Sequence, residues 1–387
     1  MVLGSANTVS GAQRPLSLGF VGGGLSSAVG QAHFSASQLD GRWRLECGVF
    51  SRNREVNRHT GRAWHIAAER VHDSLEALIE AETGRLDAVA VLTPTPDHPD
   101  TVCALLERGI PVICEKTLAD STAGIDRVRT ACVGRGAFLA VTYNYSGYPM
   151  VRELREMIHS GRLGDINQIH VEMPQEGFVR PPPIAGHDVP TPQRWRLAEG
   201  EVPMVCLDLG AHLYHLVVFL TGQEPTEVMA NFKNYAPYHG IVDTSLMWMN
   251  FASGMTGSFW FTKTAIGNRN GLRVRVYGDR GSAEWYQMEP ESLQFATIDG
   301  LRTTLDRGGN VTVAKALRYN RFKAGHPSGF VEAFANLYVD IAEALTEFRH
   351  SGHHTNPYVY GLDHSERGLR LFASARASDR ERSWQPL

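Results

Sequence analysis

The stretch LSLGFVGGGLSSAVGQAHFSASQL, residues 16–39, decides how the first half of this chain folds. An apolar run from Leu16 to Val21 ends in three consecutive glycines, and apolar residues then recur at helical spacing from Ala28 to Leu39. This order predicts a buried strand, a tight glycine turn and a helix.

The same alternation continues along the chain to about residue 145. Apolar runs predict strands at 43–50, 87–92 and 111–114, and helical spacing predicts helices at 74–82 and 101–108. Strands that alternate with helices are typical of a parallel sheet with helices on both faces. We therefore predict a doubly wound domain at 16–145 that follows a flexible amino terminus at 1–15.

After residue 145 the pattern changes, because strand-like runs now follow one another without helices between them. These runs lie at 167–173, 226–232, 245–251, 255–262, 272–277 and 282–286. Helical patterns lie at 150–160, 208–220 and 329–349. The order predicts a second α/β domain at 146–387, built on an antiparallel or mixed sheet.

Composition excludes several classes of protein. The 387 residues are 43% hydrophobic and 20% charged, with a formal net charge of -3, which is typical of a globular protein without a basic surface for nucleic acid. Apolar runs are too short to span a bilayer, and residues 1–13 do not resemble a signal peptide. We expect a cytoplasmic protein with neither a nucleic-acid nor a membrane partner, and we expect its five cysteines to be buried thiols.

The glycine turn resembles a dinucleotide-binding G-x-G-x-x-G turn, with Ser27 in the third glycine position and Gly30 three residues later. The first glycine allows the tight turn, the second lets the backbone approach a pyrophosphate, and the following helix directs its amides at the anion. The alternative is a flexible loop. The predicted cofactor contacts in this turn are Gly22, Gly24, Leu25, Ser26 and Ser27.

The residue at the end of the second strand determines the preference between NAD and NADP, because an acidic side chain there binds the ribose 2′-hydroxyl and repels a 2′-phosphate. Here the strand ends in Ser51-Arg52, without an acid at that place, and Arg54 follows. Ser51 and Arg52 can bind a phosphate, so NADP is slightly favoured over NAD. The alternative is that Arg52 and Arg54 are ordinary solvated side chains.

Glu115 and Lys116 lie directly after a buried strand, at the carboxyl end where doubly wound sheets bind ligands. A lysine there can donate to a substrate oxygen and stabilise the alkoxide character that develops as a hydride leaves carbon. The alternative is a surface ion pair at the start of the next helix.

Asp208 and His212 are spaced i, i+4 on one predicted helix, and His215 follows three residues later, so the three side chains can converge. A carboxylate and an imidazole at a substrate can share binding and proton transfer. One alternative is a pair that only stabilises the helix. A second alternative is a zinc or iron site with Asp208, His212 and His215 as ligands, although we predict no metal.

A proline-rich segment from Pro181 to Pro192 is predicted to be a long surface loop that can close over a site. Arg194, Trp195 and Arg196 follow it and can contact a sugar by stacking and hydrogen bonding, or can simply pack as part of a loop.

Taken together, these motifs resemble the Gfo/Idh/MocA family, the group of glucose-fructose oxidoreductase and inositol dehydrogenase. The resemblance runs from Leu16 to the carboxyl-terminal helices. The residues that carry it are Gly22 to Gly24, Thr93-Pro94, His98, Glu115-Lys116, Tyr143 to Tyr145, Gly161 to Ile166 and Asp208 to His212.

The resemblance implies a Rossmann domain, a second domain with an open and predominantly antiparallel sheet, and a homodimer or homotetramer. It also implies NAD(P)-dependent oxidation of a secondary alcohol, or reduction of the ketone, on a sugar, glycoside or cyclitol. By the same resemblance, Lys116 orients the reacting hydroxyl, His212 is the general acid/base, and Asp208 binds substrate or tunes His212. The other implied cofactor contacts are Thr93, Pro94, His98, Glu115, Lys116 and Asn144. The implied substrate contacts are Lys116, Tyr145, Trp195, Arg196, Asp208 and His212.

Two departures from the family pattern affect the site. Glu201-Val202-Pro203-Met204 replaces the glycine-rich approach that often precedes the Asp-x-x-x-His helix, which we expect to change the wall of the pocket. The usual Glu-Lys-Pro is Glu-Lys-Thr here, so Thr117 leaves the backbone after Lys116 less constrained and removes the basis for expecting the usual turn, which can contain a cis peptide. No chemical group is lost by this change.

Two other functions stay open at this point. One is a metal-dependent lyase or hydrolase in which the dinucleotide is only a transient redox partner. The other is a dinucleotide-sensing protein without turnover, against which Lys116, Asp208 and His212 argue.

Overall fold

The computed structural model describes residues 14–133, 136–179 and 192–387. Two sheets organise these residues, one of five strands and one of nine. The predicted fold class, a doubly wound parallel sheet followed by an α/β domain with a mostly antiparallel sheet, is confirmed.

The first sheet is entirely parallel and has the strand order β2-β1-β3-β4-β5. Its strands are β1 Leu16–Gly22, β2 Trp43–Val49, β3 Ala88–Leu92, β4 Val112–Glu115 and β5 Leu139–Thr142. The helices between them are α1 Ala28–Leu39, α2 Arg54–Ala63, α3 Leu75–Glu82, α4 His98–Leu106 and α5 Thr122–Val133. The carboxyl ends of the five strands share one edge, which is where such sheets bind ligands.

The second sheet has the order β13-β12-β11-β10-β6-β9-β8-β7-β14. Its strands are β6 Ile166–Pro174, β7 Pro225–Lys233, β8 Thr244–Phe251, β9 Thr256–Thr262, β10 Arg273–Gly278, β11 Gly281–Tyr286, β12 Ser292–Thr297, β13 Arg302–Asp306 and β14 Gln385–Pro386. Only β6 and β9 run parallel to each other among these pairs in the described part of the chain. That pair therefore brings two strand carboxyl ends to one place.

Four α-helices lie in the described part of the second half of the chain. They are α6 Pro149–His159, α7 Ala211–Thr221, α8 Phe330–Ser351 and α9 Leu362–Glu381. The segment predicted as one helix from Asp208 to Leu220 differs from that prediction, because Cys206–Gly210 forms a π-helical turn before α7 begins. None of the helices in the described ranges is long and apolar enough to cross a membrane.

Helix α8 packs on the first sheet although it follows the predicted domain boundary near residue 145. Phe334 and Tyr338 of α8 lie in one apolar core with Phe20 of β1 and Ala36 of α1. The indole of Trp43 in β2 donates to the carbonyl of Tyr338 at 2.9 Å. The two halves of the chain are therefore interlocked, and the domain boundary stays a prediction.

Candidate active site

The glycine turn between β1 and α1 has the geometry that the sequence predicts. Gly22 and Gly23 have φ angles of +83° and +71°, which favour glycine. A Cβ on Gly24 would lie 3.0 Å from the carbonyl oxygen of Phe50, and a Cβ on Gly30 would lie 1.8 Å from that of Gly23. Gly30 therefore provides the close contact between helix and strand that the sequence pattern assigns to its third glycine.

Some of the residues predicted to contact the cofactor in this turn already have hydrogen-bond partners within the protein. Ser27 caps α1, because its hydroxyl accepts the amide of Gly30 at 3.2 Å. The amide of Leu25 donates to the Thr60 hydroxyl at 3.2 Å. Ser26 lies between them at the start of the helix, where amides point toward an anion.

Ser51 and Arg52 follow β2 at the same sheet edge. The Arg52 side chain is 91% exposed and its Nη2 lies 4.0 Å from Oδ2 of Asp97. Asp97 follows β3, so the sequence of the second strand alone does not reveal that an acid lies near this position. The Ser51 hydroxyl accepts the amide of Asn53, the cap of α2, at 3.1 Å.

Three unpartnered polar atoms lie at the carboxyl ends of the next three strands. Thr93 Oγ1 follows β3, Thr117 Oγ1 follows β4 and Asn144 Nδ2 follows β5, and each is buried without a hydrogen-bond partner among the described residues. Buried polar groups are rarely left unpaired in a native protein. A nicotinamide, whose amide both donates and accepts, fits these residues, as the phosphates fit the glycine turn.

His98 and Glu115, both predicted cofactor contacts, are buried and already engaged. The ring nitrogens of His98 lie 2.7 Å from the carbonyl of Thr117 and 2.8 Å from that of Thr93. Glu115 lies 2.9 Å from Nε2 of His33, whose Nδ1 lies 2.7 Å from the hydroxyl of Tyr338. These side chains hold the strand ends in place. Pro94, also predicted, caps a short 3₁₀ turn beside them.

Lys116 and Asp208 are brought together although they are 92 residues apart in sequence. The Lys116 ammonium donates to the Asp208 carbonyl at 2.6 Å and lies 3.5 Å from its Oδ1. Burial lowers the pKa of Lys116, and the charge of Asp208 opposes that shift. The peptide bond from Lys116 to Thr117 is cis, although threonine replaces the proline of the family pattern.

Two more cations surround the Asp208 carboxylate. Arg196 Nη1 lies 2.5 Å from Oδ1, and Lys263 Nζ lies 2.6 Å from Oδ2. Burial alone would raise the pKa of Asp208, but Lys263, Lys116 and Arg196 hold it well below its ordinary value. The carboxylate is therefore ionised at neutral pH.

Lys263 is a residue of this cluster that sequence reasoning missed. It directly follows β9, and its ammonium donates to Gln175, which directly follows β6, at 2.7 Å. Both residues directly follow a strand, which is the feature of the sequence that could have marked them as candidate site residues. That feature was not sufficient to place Lys263 in the site, because the sequence does not reveal that β6 and β9 are parallel neighbours.

His212 lies in α7 beside this cluster and is buried. Burial is the main reason that its pKa lies well below the ordinary value, and the charges of Lys116 and Lys263 lower it further while Asp208 opposes them. The ring of Tyr145 meets His212 edge to face at 4.7 Å between centroids. His212 is consequently neutral at physiological pH and able to accept a proton.

The remaining predicted substrate contacts surround the same cluster. The hydroxyl of Tyr145 accepts from Asn270 at 3.0 Å. The Arg196 guanidinium lies over the ring of Trp195 at 4.5 Å, and the Trp195 indole donates to Gln193 at 2.8 Å. The predicted loop at 181–192 lies outside the described residues except for Pro192.

His215 does not join Asp208 and His212. Its ring stacks on Tyr143 at 4.3 Å and its Nδ1 lies 3.1 Å from Nε2 of His364, because α7 is buried on nearly all sides. Within the described ranges, the one set of three potential metal ligands with converging atoms is Cys47, His72 and Glu82. The metal set considered from sequence is therefore not assembled here.

Comparison with known families and structures decides the class of this site. A sequence profile for an oxidoreductase family with an NAD-binding Rossmann fold matches residues 16–143, and one for the GFO/IDH/MocA C-terminal domain matches residues 151–284. The chain belongs to the GFO/IDH/MocA family. The predictions of this family, of an oxidoreductase enzyme and of a dinucleotide-binding domain are confirmed.

Relatives of this GFO/IDH/MocA protein cover nearly its whole length. It is 28% identical to the uncharacterized oxidoreductase YfiI of Bacillus subtilis over 340 residues, and this aligned region covers 86% of each chain. An oxidoreductase structure from Sinorhizobium meliloti is 30% identical, with a TM-score of 0.83 over 96% of this chain and 99% of that one. An inositol dehydrogenase homologue from Azotobacter vinelandii, complexed with NADH and myo-inositol, is 27% identical, with a TM-score of 0.86 over 97% and 98%.

Proposed function

We propose that this protein is an NAD(P)-dependent dehydrogenase, or ketoreductase in the reverse direction, that acts on a secondary alcohol of a sugar, glycoside or cyclitol. One observation carries the proposal: a buried neutral imidazole, His212, lies beside the Lys116 ammonium at the carboxyl edge of a dinucleotide-binding sheet. The inositol dehydrogenase homologue complexed with NADH and myo-inositol supports the same class of substrate.

The residues divide the proton chemistry of alcohol oxidation between them. The Lys116 ammonium donates a hydrogen bond to the reacting oxygen and stabilises its developing negative charge. His212 accepts the hydroxyl proton, since it is neutral and buried. Asp208 keeps Lys116 charged and oriented. A nicotinamide at the unpartnered atoms of Thr93, Thr117 and Asn144 would accept the hydride from the carbinol carbon.

The same site carries out the reverse reaction without any new group. A ketone oxygen accepts a hydrogen bond from Lys116, and the reduced nicotinamide would supply the hydride. The proton comes from the protonated form of His212, which its low pKa makes scarce at neutral pH, so reduction should be favoured at lower pH. The preference between NAD and NADP belongs to the proposal as well. Arg52 favours the 2′-phosphate of NADP, whereas Asp97 at 4.0 Å from Arg52 opposes it, so the proposed preference for NADP is slight.

The proposal is tested by reduction of NAD⁺ and NADP⁺ with a panel of cyclitols, aldoses, glycosides and sugar acids, followed by nicotinamide absorbance. We expect turnover with at least one member of the panel. Lys116→Ala should reduce kcat by about a thousandfold, because a buried charge at the reacting oxygen is lost. The exposed Lys233→Ala variant is the matched control and should keep the activity of the wild type.

Two outcomes would contradict the proposal. Turnover that requires an added zinc, iron or manganese ion would favour the metal-dependent lyase or hydrolase. Tight binding of a reduced dinucleotide without turnover of any compound, in either direction, would favour a sensing protein.

A further inference from the structure

The site around Asp208 contains more positive than negative charge. Three cations, Lys116, Arg196 and Lys263, lie within 3.5 Å of one carboxylate, that of Asp208. Charges in a cleft with low-dielectric walls act strongly on a ligand. The cluster has an excess of two positive charges before any other group is counted.

Glu115 reduces this excess only in part. It precedes Lys116 in the chain and its charge acts on that lysine. However, its carboxylate is already engaged by His33 and by the hydroxyl of Thr142. His212 is neutral at physiological pH, and burial raises the pKa of the neighbouring Tyr145 hydroxyl, so neither group adds charge to the cluster. Within the described residues an excess of at least one positive charge therefore remains at the substrate position.

Among the contacts of the described residues, two of the three cations keep donors for a ligand. The Lys263 ammonium has three N–H groups, of which Asp208 and Gln175 engage two. The Arg196 guanidinium has five, is 29% exposed, and meets Asp208 through Nη1. Its planar fork matches the two oxygens of a carboxylate or phosphate.

Neutral polyols use only part of this arrangement. A hydroxyl substrate needs the Lys116 donor and the His212 acceptor, but it does not need two further cations beside them. Burying cations costs several kcal/mol each unless they are paired. Asp208 neutralises only one of the three cations, and a negatively charged group on the ligand would pair with another.

We propose that the substrate is a polyol that carries an anionic group, either a carboxylate or a phosphate, and that Lys263 and Arg196 bind this group beside the reacting hydroxyl. This inference rests on the proposed dehydrogenase function and narrows its substrate class. Lys116 and His212 then act on the carbinol, while Lys263 and Arg196 select the compound.

Titration calorimetry of the protein saturated with a reduced dinucleotide tests this inference with matched ligands. The pairs are D-glucose with D-glucuronate and D-galactose with D-galacturonate, and D-glucose 6-phosphate is the phosphate member. We expect at least one anion to bind about tenfold or more tightly than its neutral partner, as one charge-assisted contact implies. Whether the carboxylates or the phosphate bind identifies the anionic group.

Substitution of Lys263 separates recognition of the anion from a merely structural role. Lys263→Met keeps the length of the side chain and removes its charge, so the anion should lose about tenfold in affinity while its neutral partner loses little. Arg196 lies on a different element from Lys263, and Arg196→Gln should also reduce the ratio of the anion's affinity to that of its neutral partner. Lys233→Met is the control, since Lys233 is exposed at the end of β7, and should leave the ratio unchanged.

The inference is overturned if every anion binds no more tightly than its neutral partner, if none of the anions binds, or if Lys263→Met weakens both members of a pair equally. The dehydrogenase proposal survives each of these results as long as a neutral polyol reduces NAD⁺ or NADP⁺. Failure of that reduction with every compound overturns the dehydrogenase proposal itself, so the two failures are distinguishable.

Discussion

His212 shows how one residue obtains its chemistry from its surroundings. A free imidazole titrates near neutrality, but burial and the neighbouring lysine charges move the pKa of His212 well below that value. Asp208 opposes the shift without cancelling it. The side chain is therefore a proton acceptor over the whole physiological range of pH.

This environment predicts both the effect of a substitution and a pH profile. His212→Gln should lower kcat for alcohol oxidation by about a thousandfold, the typical contribution of a general base. Because oxidation needs the neutral ring, kcat/KM of the wild type should stay constant from neutral pH downward and decline only well below pH 6.5. Steady-state rates across pH measure both effects.

The exposed His239→Gln variant is the matched control and should behave as the wild type does. An acid limb centred near pH 6.5 or above would contradict the assignment of His212 as the base.

Arg52 makes a second prediction at the residue scale. Its side chain is 91% exposed and is proposed to bind the 2′-phosphate, so Arg52→Ala should weaken NADPH binding by about tenfold and leave NADH binding within about twofold. Fluorescence titration with each reduced dinucleotide measures the two affinities. Arg58→Ala, an exposed position in α2, serves as the control. Equal loss of both affinities would mean that Arg52 does not bind the 2′-phosphate.

At the scale of elements, apolar periodicity predicted most of the strands and helices, but it missed β5, α5 and α9 although each buries apolar residues. Helix α1 begins and ends where the pattern does, at Ala28 and Leu39. Helix α2 was missed because its sequence, REVNRHTGRA, is almost entirely polar and leaves no apolar stripe to detect. Strand β13 was missed for a related reason, because none of its residues is fully buried, and the short strand β12 beside it was missed as well.

The candidate site was predictable in its chain positions and less so in its contacts. The motifs pointed to Lys116, Asp208 and His212, because each lies next to a recognisable strand or helix. The π-helical turn at Cys206–Gly210 was not predictable, since the same residue spacing fits an α-helix. The position of Lys263 depends on which strands are neighbours, and a single sequence does not contain that information.

The glycine turn gives a prediction for one element. Gly30→Ala places a Cβ 1.8 Å from the carbonyl oxygen of Gly23, so α1 must move away from β1. We expect a loss of roughly 3 kcal/mol in the free energy of unfolding and weaker dinucleotide binding. Urea unfolding and titration with NADH or NADPH measure the two effects.

Gly177→Ala is the matched control, because a Cβ there meets no atom of the described residues within 4 Å. An unchanged unfolding curve for Gly30→Ala would contradict the close packing of the turn on the helix.

At the scale of the whole molecule, strand β8 exposes apolar side chains on one face of the nine-stranded sheet, here called the open face. Helices α6, α7 and α9 lie against this sheet and contact its strands. On β8, Leu246 and Trp248 are 50% and 56% exposed, and they pair across strands with Trp260 and Met229. Exposed apolar patches of this kind commonly mark protein interfaces.

We therefore expect the open face to form the interface of the predicted homodimer or homotetramer. Trp248→Lys should shift the protein toward the monomer, because a charge would be buried at the interface. Light scattering after size-exclusion chromatography measures the mass. Tyr235→Lys, at an exposed position outside the strands, is the control. A wild type that is monomeric at every concentration would contradict this expectation.

The central claim is that a nicotinamide dinucleotide binds at the strand ends marked by Thr93, Thr117 and Asn144. Fluorescence titration of the wild type, Asn144→Leu and the control Asn231→Leu with NADH and NADPH tests it most directly. The account predicts that one dinucleotide binds per chain. It also predicts about tenfold weaker binding for Asn144→Leu but not for Asn231→Leu, since the nicotinamide would lose the Asn144 side-chain amide as a hydrogen-bond partner. Absence of binding to either dinucleotide, or equal binding by all three proteins, would contradict it.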